Sequence, residues 1–331
     1  MHQIFKKILL ENNGRSYYRV AEHLFAVECS DSALLQYMKN YEPFAVEELL
    51  DERRKAKGER REGEGIFTLR VEGHEARGER RKARGEEYVH VLTDNAEEDM
   101  PRIEVYRAIR REGDEAREWL FRVAMVAKAP ISCEIECNED FTQGVLYIMP
   151  DCQDVRFCID NALMLLFAFR TAPMMTLEMH AAVVVRDEAR GYLFLGHSGT
   201  GKSTHARHWL AAFDDAWLLN DDNPILRVME DGEVRVYGSP WSGKTPCYKN
   251  AYARVGGIVK LSQAPHNKIR TISLPEAYAY MLSSASGMKM DRHMADCMYE
   301  SIKHVITHVK CYHMECLPNT EAAEVAQRGM E

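Results

Sequence analysis

GHSGTGKST, Gly196–Thr204, is the stretch on which the reading of this chain turns. Gly196, Gly201, Lys202 and Ser203 occupy every fixed position of the pattern G-x-x-x-x-G-K-[ST]. The small residues between them, Ser198, Gly199 and Thr200, let the backbone curl until its amides point inward at an anion, and a helix start adds partial positive charge. Lys202 is then placed to reach the β- and γ-phosphates of a nucleotide, and Ser203, followed by Thr204, to complete a Mg²⁺ site. The context suits the loop, since GYLFL (191–195) reads as an apolar strand and Ser203 to about Phe213 as a helix.

Working outward, WLLNDD (Trp217–Asp222) ends in two carboxylates about 19 residues after Lys202, which leaves room for one short helix and the next strand. An adjacent pair at a strand end suits two tasks. One carboxylate can orient Mg²⁺, and the other can take the proton from an attacking hydroxyl. On the amino-terminal side, LEMHAAVVV (177–185) reads as a strand and Arg186–Arg190 as a turn into the loop strand. Paired as a hairpin, these strands would bring His180 toward the γ-phosphate end, where an imidazole assists a carboxylate base. GSPWSGKT, Gly238–Thr245, reads either as a loop with an exposed Trp241 that offers Lys244 as a further cation beside the phosphates, or as an ordinary turn with a packed tryptophan.

The rest of the second half alternates. A hairpin is expected around Glu230-Asp231-Gly232, then the strand GGIVKL (Gly256–Leu261), helices over Pro275–Ser284 and Asp291–Val305, the strand CYHMEC (Cys311–Cys316) and a last helix from Thr320. This is an α/β pattern, a mixed sheet with helices built around a phosphate loop, assigned to residues 151–331. Its first helix, Asp151–Thr171, is stopped by Pro173 and is expected to link the halves. Residues 1–150 are instead β-rich: eight short runs, from Tyr17–Val20 to Val145–Met149, suggest a meandering antiparallel sheet. Two charged connections, Glu52–Gly65 and Glu79–Glu87, read as solvated hairpin loops. Three uses suit this β-rich domain: presenting a substrate, sensing a metabolite, or forming a homo-oligomer.

A net charge of −8 argues against a nucleic-acid binder. The longest apolar run, about Ala162 to Ala172, is broken by Arg170 and falls short of a bilayer span. Nine scattered cysteines, with no secretory leader read at the amino terminus, are expected as reduced thiols of a cytoplasmic protein.

Together, His180-Ala-Ala-Val-Val, Gly196 to Thr204 and Leu219-Asn-Asp221-Asp222 resemble the catalytic domain of the HPr kinase/phosphorylase family. That family carries a histidine-bearing strand, a hairpin into a phosphate loop, a short helix and a strand ending in paired aspartates. ATP-dependent phosphoenolpyruvate carboxykinases share the loop and the acidic pair. The resemblance covers about Leu177–Leu261. It implies ATP and Mg²⁺, phosphate and metal binding by Lys202 and Ser203, Asp221 as the metal-orienting carboxylate, Asp222 as base with His180 beside it, and a hydroxyl acceptor, serine foremost, on a protein or a small molecule. Two departures point away from HPr as substrate and from a reverse phosphorylase reaction. The nearest match to the family's acidic-arginine-glycine segment, Tyr252–Gly257, lacks the acid, and the segment tied to the reverse reaction is missing. A carboxykinase-like reaction on an enolate, with Lys244, Lys249 and Arg254 as its cations, and a non-catalytic nucleotide sensor stand as alternatives.

Overall fold

The computed structural model describes residues 14–29, 31–46, 65–73, 88–94, 101–109, 119–187, 189–243 and 245–331. Most of the two charged connections, and Lys244, lie outside the described residues. The chain is a mixed α/β protein that divides into two compact units, Met1–Arg170 and Thr171–Glu331.

The first unit is a sheet of nine strands: β1 (Arg15–Val20), β2 (His23–Cys29), β3 (Ala45–Val46), β4 (Thr68–Gly73), β5 (Tyr88–Asp94), β6 (Arg102–Ala108), β7 (Trp119–Ala124), β8 (Ile131–Cys137) and β9 (Gln143–Ile148). All eight expected runs are strands, but the sheet is not a simple meander. Its order is β3-β1-β2-β4-β9-β8-β7-β6-β5, and β4 runs parallel to both β2 and β9. Parallel neighbours far apart in sequence leave no short-range turn signal, so alternation alone reads as a meander.

Helix α1 (Val155–Thr171) begins four residues later than the periodicity suggests, and a short 3₁₀ turn containing Pro173 ends it. Within the first unit its Phe167 ring meets Phe25 and His23, and Phe169 meets Phe121 and Phe141. Asp160 accepts hydrogen bonds from the Tyr41 hydroxyl at 2.7 Å and from Asn40 Nδ2 at 3.0 Å. With its 3₁₀ extension the helix is long and apolar enough by composition to cross a bilayer, but half of that stretch is buried inside the protein, as a core helix is.

The second unit is built on β10 (Thr176–Met179), β11 (Ala181–Arg186), β12 (Arg190–Leu195), β13 (Trp217–Asp222), β14 (Ile225–Val228), β15 (Val234–Tyr237), β16 (Tyr252–Gln263), β17 (Lys268–Thr271), β18 (Ala285–Ser286) and β19 (Cys311–Cys316). They form one mixed sheet, ordered β13-β11-β12-β16-β15-β14-β10-β18, with β19 also parallel to β16. Side chains alternate across it. Leu177, Met179, Ala181, Val183 and Val185 face a core shared with α3 (Leu274–Ser284) and α4 (Arg292–His308). Ala182, Val184 and Phe194 face the opposite core, closed by α2 (Lys202–Ala212) and α5 (Thr320–Met330). Trp209 of α2 is fully buried against Tyr192 and Phe194 and donates its indole N–H to His205 Nε2 at 3.0 Å. Burial holds the His205 pKa down at about 4, so the ring stays a neutral acceptor. These contacts fix the axis of α2, and with it the loop that precedes the helix.

Candidate functional site

Strand β12 delivers the chain to Gly196, and α2 takes it up at Lys202, so the glycine loop lies between a buried strand end and a helix start. Gly201 caps the helix with φ +106°, a conformation that a side chain would strain. Within the loop, the Thr200 amide donates to the His197 carbonyl at 3.2 Å, and the Gly199 carbonyl accepts from Gln263 Nε2 at 3.2 Å. Ser198 is exposed. The Thr204 hydroxyl accepts from Arg207 at 3.2 Å along the helix.

Lys202 is 7% exposed, and its ammonium donates to the carbonyls of Gly196 at 3.0 Å and His197 at 3.4 Å. Burial lowers its pKa, while Asp222 and Asp221 oppose that shift. The same ammonium lies 2.9 Å from His180 Nε2, and that nitrogen lies 3.0 Å from Asp222 Oδ1. One ring nitrogen cannot accept from a lysine and donate to a carboxylate at once, so the two contacts are alternatives. The expected hairpin produces this meeting, since β11 pairs antiparallel with β12 on one side and with β13 on the other, setting Ala181 opposite both Leu195 and Asp222.

The two aspartates divide as their neighbours dictate. Asp221 is buried, and its Oδ1 accepts from the Ser203 hydroxyl at 2.8 Å. Asp222 is partly exposed and turns to His180, with its backbone at φ +132°. The GSPW loop clamps this strand end. Asn220 Nδ2 donates to Ser239 Oγ and to the Trp241 carbonyl, both at 3.1 Å, and the Gly243 amide donates to the Asp221 carbonyl at 2.8 Å. Trp241 is packed, at 1% exposed.

An oxygen donor set of one carboxylate and one hydroxyl, Asp221 and Ser203, fits Mg²⁺, which takes few protein ligands and completes its shell with phosphate and water.

Not every expected residue gathers here. Arg254 lies opposite Arg190, at the start of β12, and pairs with Glu233 at 2.5 Å. Lys249 sits 4.6 Å from the Trp217 ring, at the far end of β13 from Asp222, roughly 16 Å along the strand. The cation cluster for enolate chemistry is therefore not assembled among the described residues. Two residues that motif reading missed do lie near. Lys260 is in register with Leu195, and its charge is felt at Lys202. Glu178, two residues before His180, feels the charge of Asp222. Each is a charged residue set between two apolar neighbours in a strand, and that is the signal that would have found them.

No family model matches this chain, and no curated protein matches it. Among solved structures, one described as the Hpr(Ser) kinase/phosphatase from Coxiella burnetii aligns with 46% of this chain and 94% of its own, at 13% identity and a TM-score of 0.27. The similarity is distant and carries no conclusion about chemistry.

Proposed function

We propose that the chain is an ATP- and Mg²⁺-dependent kinase that transfers the γ-phosphoryl group to a hydroxyl, serine foremost. The observation that carries this reading is the division of labour between the adjacent aspartates, Asp221 on the Ser203 hydroxyl and Asp222 on His180. A loop that only holds nucleotide has use for the first pairing; the second adds a carboxylate and an imidazole beside the phosphate-binding lysine.

Lys202 and the loop amides meet the charge of the phosphates. Mg²⁺, when bound by Ser203 and Asp221, neutralises charge on the phosphate oxygens. Phosphate oxygens would draw the Lys202 ammonium from His180, leaving that ring nitrogen free to donate to Asp222 and hold it in place. Asp222 takes the proton as the acceptor O–H bond breaks; a new oxygen–phosphorus bond forms, and the bond from the γ-phosphorus to the ADP oxygen breaks. The products are a phosphomonoester, ADP and the proton held by Asp222.

The test uses γ-labelled ATP, Mg²⁺ and either free serine or a serine-containing peptide, with wild type and Asp222→Asn. Label entering an acceptor with wild type, and at least about 100-fold more slowly with the variant, supports the kinase. Label that stays on bound ATP leaves the nucleotide-sensor reading in its place, and label that passes only to water overturns transfer to a hydroxyl acceptor.

A further inference from the structure

Glu178 is a buried acid for which the phosphoryl-transfer chemistry has no use. It is 1% exposed, and neither carboxylate oxygen has a hydrogen-bond partner among the described residues. Buried polar atoms are nearly always paired, so an orphaned carboxyl calls for a donor that the protein itself does not supply.

Its position says where that donor would come from. Leu177 and Met179 enter the α3–α4 core, so alternation puts Glu178 on the opposite face, the face that carries His180. The two α-carbons lie roughly 7 Å apart along the chain. Asp222, whose charge is felt at Glu178, belongs to the same group. On one side Glu178 faces buried Ile225 of β14. On the other it faces Ser286 of β18, a two-residue strand at the end of the sheet, and Ser286 is exposed. Cross-strand neighbours sit about 5 Å apart, so a molecule at Ser286 is one strand spacing from the Glu178 carboxyl. Burial, reinforced by Asp222, pushes that carboxyl up to about 8; a cation arriving beside it would favour the ionised form.

We propose that Glu178 receives a positively charged amine of the phosphoryl acceptor, which makes the acceptor a small amino alcohol with its hydroxyl and ammonium on neighbouring carbons. The proposal rests on the kinase reading above. Compactness follows from the short distance between Glu178 and His180 and from the narrow cover at Ser286. A serine within a peptide does not fit the role, because its nitrogen is an uncharged amide.

The experiment compares 2-aminoethanol and L-serine with ethylene glycol as acceptors from Mg²⁺-ATP, in wild type, Glu178→Gln and Glu178→Asp. The expected result is a wild-type kcat/KM about 30-fold higher for the amines than for the glycol, a ratio that falls to near one in Glu178→Gln through KM and is partly kept in Glu178→Asp. Equal use of amine and glycol by wild type, or an unchanged ratio in Glu178→Gln, overturns the proposal and leaves the kinase standing. Calorimetric titration of 2-aminoethanol with Mg²⁺ and a non-hydrolysable ATP analogue separates the two claims. Binding at least about 10-fold weaker in Glu178→Gln, without turnover in any protein, upholds the amine site while the kinase reading fails. Equal binding by both proteins overturns the amine site.

Discussion

Asp222 combines the two marks of a residue held for chemistry, a strained backbone and a side chain shared with a histidine. Asparagine has the shape of aspartate and strains this backbone no further, so Asp222→Asn is expected to fold normally, keep its affinity for an ATP analogue and lose at least about 100-fold in kcat; binding and turnover measured on one preparation check this. Glu178 predicts an effect on stability. Its folded pKa, about 8, lies above the ordinary value of 4.5, so folding takes up a proton between those values. Its contribution is whole below pH 4.5 and is lost as pH rises toward 8, a cost on the order of 3 kcal/mol by pH 7. Glu178→Gln is expected to melt at a higher temperature than wild type at pH 7, to show little difference near pH 4.5, and to flatten the decline between them in a series of thermal melts. The motif residues were legible because loop chemistry dictates residue type at fixed spacing. Glu178 and Lys260 were not, because their meaning depends on which strands lie side by side.

At the level of elements, the site depends on how the end of β13 is held. A Cβ at Gly243 would lie 3.1 Å from the Asp222 carboxyl, close enough to push it by a few tenths of an ångström. Gly243→Ala is expected to lower kcat about 10-fold by displacing Asp222 while leaving ATP affinity intact, which steady-state kinetics with a binding titration would reveal. Asn220→Ala removes a buried amide that ties the GSPW loop to β13 and is expected to cost about 1–3 kcal/mol in denaturant unfolding. The sequence placed the loop strand, α2 and β13 in order, since each is short, apolar in the right period and bounded by turn residues. It left GSPW open between a turn and a cation donor; burial of Trp241 and the carbonyls that Asn220 grips make the loop a brace. Lys244 itself lies outside the described residues.

At the level of the whole molecule, every described residue assigned to the site, from Glu178 to Gln263, falls in the second unit. Residues 171–331 produced alone are therefore expected to bind an ATP analogue within about threefold of the full chain, and a titration of both would check this. The two compact units divide after Arg170, so α1, expected with the second half, falls with the first; only the change of period near residue 150 was readable from the sequence. The parallel placement of β4 between β2 and β9 was not, because long-range pairing leaves no local trace. The account as a whole is tested most directly by a phosphorus NMR time course of the full chain with Mg²⁺-ATP and free serine. It predicts loss of the γ-phosphate signal matched by growth of a phosphomonoester signal, with none in Asp222→Asn; growth of inorganic phosphate alone, or an unchanged ATP spectrum, would contradict it.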